Sequence, residues 1–143
     1  MSKGNTFEND LLKLIFNATP IANLADNAAS SPITDLYASI HTADPGEAGN
    51  QTTSECAFPE YARVAVPRTT LGWTVSGNVV NPVNPIEFPP RITGSDETAT
   101  HAMIGTAVSG TGKQLYRGEL TPNVTITAGI TVILTTASTV SED

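Results

Sequence analysis

The groups able to do chemistry in this chain are few, and they are scattered along it. His41 and His101 are the two histidines. Each falls in a segment with strand periodicity, so they would form a metal or acid/base pair only if the fold joined them. Surface or inter-subunit hydrogen bonding is the expected use. Asp44 with Glu47, and Asp96 with Glu97, could offer oxygens to calcium, yet neither set has the alternating acidic ligands of a dedicated loop. Cys56 follows Glu55, whose negative charge raises a thiol pKa and makes a poor nucleophile. As the one cysteine, it can neither close an intrachain disulfide nor build a zinc cluster. Asp35, Glu60 and Glu87 are uncommitted carboxylates that could serve a glycosidase only if folding paired them, and solvated strand ends and loops are their ordinary place. Thr111-Gly-Lys113 has the look of a phosphate loop, but Ala107 stands where the first glycine is needed and Gln114 where the magnesium-binding hydroxyl is needed. Ser109–Gly112 therefore reads as a hairpin turn. The expectation is a protein without catalytic residues, cofactor or metal, hence not an enzyme.

The elements that carry these residues follow from periodicity. Thr6 is a plausible N-cap, Glu8 and Asp10 suit the positive end of a helix dipole, and Phe7, Leu11, Leu14 and Ile15 recur at helical spacing. They predict a helix over 7–17 whose apolar stripe packs on its own domain or docks on a neighbouring subunit. Residues 20–32 read as an Ala/Asn/Ser-rich connector with a short helical turn at 24–28. From Asp35 to His41 the period becomes two, the mark of a strand with one buried face. A polar loop opened by the Asp44-Pro-Gly-Glu47 turn runs to about residue 59. Further strands are expected at 61–66, 73–75 and 79–80 around a tight Ser76-Gly-Asn78 turn. Others follow at 86–88, 98–108, 114–120, 124–127 and 131–136.

About eight short strands with Gly/Pro punctuation, and one helix that cannot supply parallel crossovers, predict an all-β fold. The architecture expected is an antiparallel, jelly-roll-like β-sandwich over 33–143, with an N-terminal helix and connector arm over 1–32. With 143 residues the chain can bury a core without disulfides. Seven Lys and Arg stand against 14 Asp and Glu, a net charge of -7, so phosphate is repelled and nucleic acid is not an expected partner. Glu8, Asp10 and Lys13 interrupt the first apolar run, which rules against a signal peptide, and no stretch has the apolar length of a membrane span. Synthesis in a cytoplasm without membrane association is expected, which makes the Asn17, Asn50 and Asn123 sequons chance products of composition. Aromatic residues are 6% of the chain, too few for a sugar-stacking platform, and Trp73 reads as core.

Several blocks in order resemble a known family. Residues 1–17, reading Met1-Ser-Lys-Gly-Asn-Thr-Phe-Glu-Asn-Asp-Leu-Leu-Lys-Leu-Ile-Phe-Asn17, open the match. It continues through His41-Thr-Ala-Asp-Pro-Gly-Glu-Ala-Gly49, Tyr61-Ala-Arg-Val-Ala-Val-Pro-Arg68, Gly72-Trp-Thr-Val-Ser-Gly-Asn78, Ile86-Glu-Phe-Pro89 and Ile104-Gly-Thr-Ala107. These are similar to a family of small tailed-bacteriophage virion proteins commonly labelled phage tail-fibre proteins. The resemblance implies a structural component of a phage particle, made in the host cytoplasm.

Two roles follow from that implication. Fibre shafts are long trimers built from repeats, and this short chain has none, so the leading expectation is a capsid decoration or cement protein. It would sit on the outer surface of the head, binding the major capsid protein and copies of itself as a trimer or dimer. The alternative is a tail- or fibre-associated module that contacts tail proteins, with a possible receptor contact through residues 42–60. Phe7, Leu11, Leu14 and Ile15 are the candidate docking residues, with loops 42–59 and 81–94 supplying further contacts.

Overall fold

Leu36, Ala38 and Ile40 alternate with polar neighbours, and this pattern makes Asp35–His41 a strand, β1. A computed structural model of the chain describes residues 5–21, 25 and 32–142. Among them are helix α1 (Asn5–Asn17) and, after β1, strands β2 (Val64–Pro67), β3 (Trp73–Ser76), β4 (Val79–Pro82) and β5 (Ile86–Glu87). β6 (Glu97–Gly105), β7 (Gln114–Ile126), β8 (Ile133–Leu134) and β9 (Val140–Ser141) complete the order. The fold is mostly β, in open antiparallel sheets, as the composition and spacing predict. The strand beyond the expected eight or so is β9, too short to carry a legible period. The helical turn expected at 24–28 lies outside the described residues, save Ala25, which bridges to Ile21.

The chain divides into two compact units. The first comprises Met1–Asp35, Val66–Pro85 and Leu134–Asp143. Its centre is the β3–β4 hairpin, paired Trp73↔Pro82 through Ser76↔Val79, with Gly77 taking the left-handed φ of +61° at the turn. β9 lies along β4, and α1 packs on β3 and β4. The buried face of α1 is Glu8, Leu12 and Phe16, one residue every four. Of the two uses expected for the stripe of Phe7, Leu11, Leu14 and Ile15, packing on its own domain is not the one seen: Phe7 is exposed, and Leu11, Leu14 and Ile15 are only half-buried. The physical reason is the partner. Phe16 meets the buried Trp73 edge to face at 4.8 Å, which turns the 12–16 face inward. Thr6 lies within the helix rather than capping it.

A helix ends with carbonyls that lack partners, and α1 has no basic residue in its last turn. Arg68 supplies the charge from elsewhere. Its Nε donates to the Ile15 carbonyl at 2.6 Å and its Nη2 to the Leu14 carbonyl at 2.5 Å. The Arg68 N–H donates to the Thr34 carbonyl at 2.8 Å, anchoring the same residue by its backbone. The guanidinium thus caps the negative end of the helix while almost fully buried.

The second unit comprises Leu36–Ala65 and Ile86–Ile133. β6 pairs with β1 from Tyr37↔Gly105 to His41↔His101 and with β7 on its other side. The β6–β7 ladder runs as Gly105↔Gln114 to His101↔Glu119 and resumes at Ala99↔Val124. The register shifts between the two stretches, with residues 120–123 opposite Thr100, where the sequence reads separate strands at 114–120 and 124–127. The core collects Leu36, Ala38, Ile40 and Met103 from the sheet, with Phe58 and Phe88 from connections. Tyr61 lies between those two rings, 5.5 Å edge-on from Phe58 and 6.4 Å stacked on Phe88.

Replacing Arg68 with Met keeps the length of the side chain but leaves the helix carbonyls without their charged donor. Loss of two charge-assisted bonds should cost about 2–4 kcal/mol in urea unfolding. Far-UV circular dichroism should show weakened α1, with a smaller effect from Arg68→Lys than from Arg68→Met.

Candidate functional site

The most densely connected polar cluster lies in the second unit and is built on Arg63. This residue is buried just before β2. Its Nε donates to Glu55 Oε1 and its Nη2 to Glu55 Oε2, both at 2.7 Å, a two-pronged ion pair. The remaining donors reach the turn between β6 and β7: Nη1 to the Ala107 carbonyl at 2.9 Å and Nη2 to the Gly110 carbonyl at 2.8 Å. Tyr61 donates its hydroxyl to Glu55 Oε1 at 2.9 Å and accepts the Ile40 N–H at 3.2 Å. Burial and the adjacent Glu55 push the Tyr61 phenol well above its ordinary range, so it remains a donor. One arginine therefore ties the 42–60 loop, the approach to β2 and the β6–β7 turn together.

Gln51 reinforces the same junction. It is fully buried, its Oε1 accepts the Ala107 N–H at 2.9 Å, and its Nε2 donates to the Tyr37 carbonyl at 3.4 Å. Its own N–H donates to the Gly112 carbonyl at 3.0 Å. The side chain lies against two glycines: a Cβ on Gly105 would stand 2.2 Å from Gln51 Cδ, and one on Gly112 would stand 1.9 Å from Gln51 Oε1. Both glycines are thus fixed by close approach. Gly112→Ala should cost roughly 1–3 kcal/mol by overpacking. The same change in a Gln51→Ala background should cost markedly less, a coupling that a double-mutant cycle in urea reads directly.

The structure brings His41 and His101 together as opposed residues on β1 and β6. His41 is wholly buried rather than at the surface, which corrects the expectation for that residue. Its Nδ1 must donate to the Thr53 carbonyl at 2.8 Å, since a carbonyl only accepts. Its Nε2 then accepts from the Ser39 hydroxyl at 2.9 Å. Both nitrogens are committed. His101 is half-buried, its Nδ1 2.9 Å from the Thr100 hydroxyl. Among the described residues, no group of three or more His, Cys, Asp or Glu is arranged to hold a metal.

The other candidates serve as loop ties. Asp44 Oδ1 accepts the Gly46 N–H at 2.9 Å and Arg117 Nε at 2.8 Å, and these bonds hold its carboxyl below the usual range. Glu60 accepts the Ile92 N–H at 3.0 Å, the Thr93 N–H at 3.1 Å and the Thr93 hydroxyl at 2.8 Å, with the same effect. Glu97 accepts the Ala57 N–H at 3.0 Å, and Asp96 pairs with Arg91. Arg91 is buried and also donates to the carbonyls of Ile126, at 3.1 Å, and Gly94. Asp35 accepts the Thr34 hydroxyl at 2.8 Å, and Glu87 is exposed on β5. Cys56 is buried, not loop-exposed, and burial, with Glu97 and Glu55 adding to it, pushes its thiol up to about 12. The thiolate required of a nucleophile is thereby suppressed. Sequence reasoning missed Arg63, Arg68, Arg91 and Gln51. The available signal was scarcity: arginine is rare in this chain, and two of its members stand five residues apart in 61–68.

Burial, opposed by the Thr53 carbonyl and Glu55 and aided by Arg63 and His101, depresses the His41 pKa below 6.5. The unfolded chain therefore takes up this proton first. Stability from His41 is complete above about pH 6.5 and declines as pH falls toward the folded-state value. Urea midpoints should drop between about pH 6.5 and 5, above the carboxylate range. His41→Asn should lower the midpoint throughout and flatten that slope.

Taken from known proteins, a search of curated sequences returns no match to this chain. A family model, described as Podophage GP4 fiber I protein gp80, matches residues 3–141. That span includes every block of the resemblance from Lys3 onward and each arginine of the polar clusters. The chain thus belongs to the family of the Podophage GP4 fiber I protein gp80.

Proposed function

We propose that this chain is a non-enzymatic structural part of a podophage virion, located at the tail fibre and contacting tail proteins and copies of itself. The family match over residues 3–141 carries this reading, because its description names a fibre protein. It favours the fibre-associated module over the capsid decoration role, for which the match offers no support. The side-chain chemistry points the same way. The carboxylates around the Arg63 junction accept backbone N–H groups or bind arginines, work that holds loops in place and leaves no free acid/base pair there. The 42–60 loop is therefore a rigid presenting surface. The half-exposed Phe7, Leu11, Leu14 and Ile15 side chains offer an apolar face for a tail protein. The arginines are spent internally, which leaves an acidic exterior unsuited to DNA.

Location on the particle is measured directly. Gold-labelled antibody against the chain should mark the tails of intact virions, and gel densitometry should give tens of copies or fewer. Labelling across the head, at about one copy per major capsid subunit, would establish the decoration role and overturn the fibre reading.

A further inference from the structure

Residues 91–94 form a turn of the second unit that is pinned by several groups and yet presents an aliphatic side chain to solvent. Arg91 anchors it. The residue is buried, its N–H donates to the Ile130 carbonyl at 3.3 Å, and its carbonyl accepts the Gly129 N–H at 2.7 Å. Its guanidinium donates to the Ile126 and Gly94 carbonyls and binds Asp96. The Glu60 carboxylate takes the Ile92 N–H at 3.0 Å, the Thr93 N–H at 3.1 Å and the Thr93 hydroxyl at 2.8 Å. Gly94 closes the turn with a left-handed φ of +87°, and a Cβ there would stand 2.7 Å from Pro59 Cδ. Within this frame Ile92 is 67% exposed, and Ile130, one hydrogen bond away, is exposed as well. Internal packing gains little from an isoleucine held out in this way, whereas a rigid apolar anchor binds a partner at small cost in conformational entropy.

The charges around the turn select what the anchor meets. Segments 57–61, 86–97 and 126–134 build the turn and its supports. They contain Glu60, Glu87, Asp96 and Glu97 against one cation, Arg91, which is buried and paired with Asp96. Among the described residues Glu60 receives neutral donors only, so its charge stands uncompensated beside Ile92. We propose that the 91–94 turn docks on another protein of the virion, inserting Ile92 into an apolar pocket edged by Lys or Arg that faces Glu60. Opposite charge at the rim then fixes the register of the contact, while the isoleucine fills its centre. A second copy of the chain is a poor occupant, because its net charge of -7 repels the acidic surround, and phosphate-bearing surfaces are repelled for the same reason. The docking rests on the virion reading above but not on whether the chain sits at the tail or the head.

The test uses phage carrying substitutions in this chain. Gel densitometry of purified virions reads the copies retained. NaCl washes from about 0.1 to 1 M, over which the Debye length falls from about 10 to about 3 Å, read the electrostatic share of the contact. Ile92→Ser should lower the retained copies about tenfold, and Ile92→Leu should keep them at the wild-type level. Glu60→Gln keeps an oxygen for the Ile92 and Thr93 N–H groups and removes the charge, so its copies should come off at about half the salt. Circular dichroism and urea midpoints of the purified variants verify that each folds as the wild type does. Wild-type copy number in Ile92→Ser overturns the proposal, as does salt release that Glu60→Gln leaves unchanged. So does a dimer of the purified chain, or binding to phosphatidylcholine vesicles, that Ile92→Ser abolishes, since a second copy or a lipid surface would then occupy the turn. A wild-type chain absent from purified virions overturns the virion reading and the docking with it. Gold labelling at the head, with the variant effects intact, overturns the fibre reading and supports this surface.

Discussion

The second unit depends on the Glu55–Arg63 pair. Its long connections cannot satisfy their own backbone carbonyls as strands do, and a buried carbonyl without a donor costs about 1–3 kcal/mol. A guanidinium carries five donors in a planar fork, so one side chain can serve several carbonyls and a carboxylate at once. Arg63 does this for Ala107, Gly110 and Glu55. A buried cation without a counter-charge would be prohibitive, and Glu55, held further by Tyr61, provides that charge. Gln51 and the glycines it contacts then fit into a junction whose spacing the ion pair has set.

The same device recurs at the end of the helix. Arg68 donates to carbonyls in the last turn of α1, at the negative end of the helix dipole, and burial lowers its pKa. Arg91 combines both solutions, binding Asp96 and the Ile126 carbonyl. Arg63, Arg68 and Arg91 are buried, and Arg117 is held by Asp44. Each of Arg63, Arg91 and Arg117 neutralises one carboxylate, so the net charge of -7 is carried by acidic groups outside these pairs.

Local pattern was legible in the sequence and long-range pairing was not. β1 was read to its limits because Leu36, Ala38 and Ile40 alternate within seven residues, and the 73–82 hairpin because Gly77 marks its turn. The helix was legible, yet its buried face was not. Leu11, Leu14 and Ile15 make an apolar stripe as good as Leu12 and Phe16, and the choice between them turns on long-range contacts such as Trp73, 57 residues beyond Phe16. His41 reads as a surface or inter-subunit residue for a similar reason: Ser39 is near in sequence, but the Thr53 carbonyl that its ring also meets belongs to a polar loop. Arginine roles fall entirely in this class, since Arg63 and Gly110 meet across 47 residues.

Polar stapling also explains how a chain with many exposed connections keeps them ordered. Hydrophobic burial is indifferent to small displacements of a loop, whereas a two-pronged guanidinium–carboxylate bond is satisfied over a few tenths of an ångström and a narrow range of angles. Arg63 and Glu55 have side-chain exposures of 3% and 14%, so salt screens them far less than it screens a surface pair. Loop geometry fixed in this way persists across changes of ionic strength. A part on the outside of a virion, as proposed for this chain, passes from host cytoplasm to open medium without any means of repair. Order that rests on shielded, directional bonds suits that passage better than order that rests on exposed ion pairs.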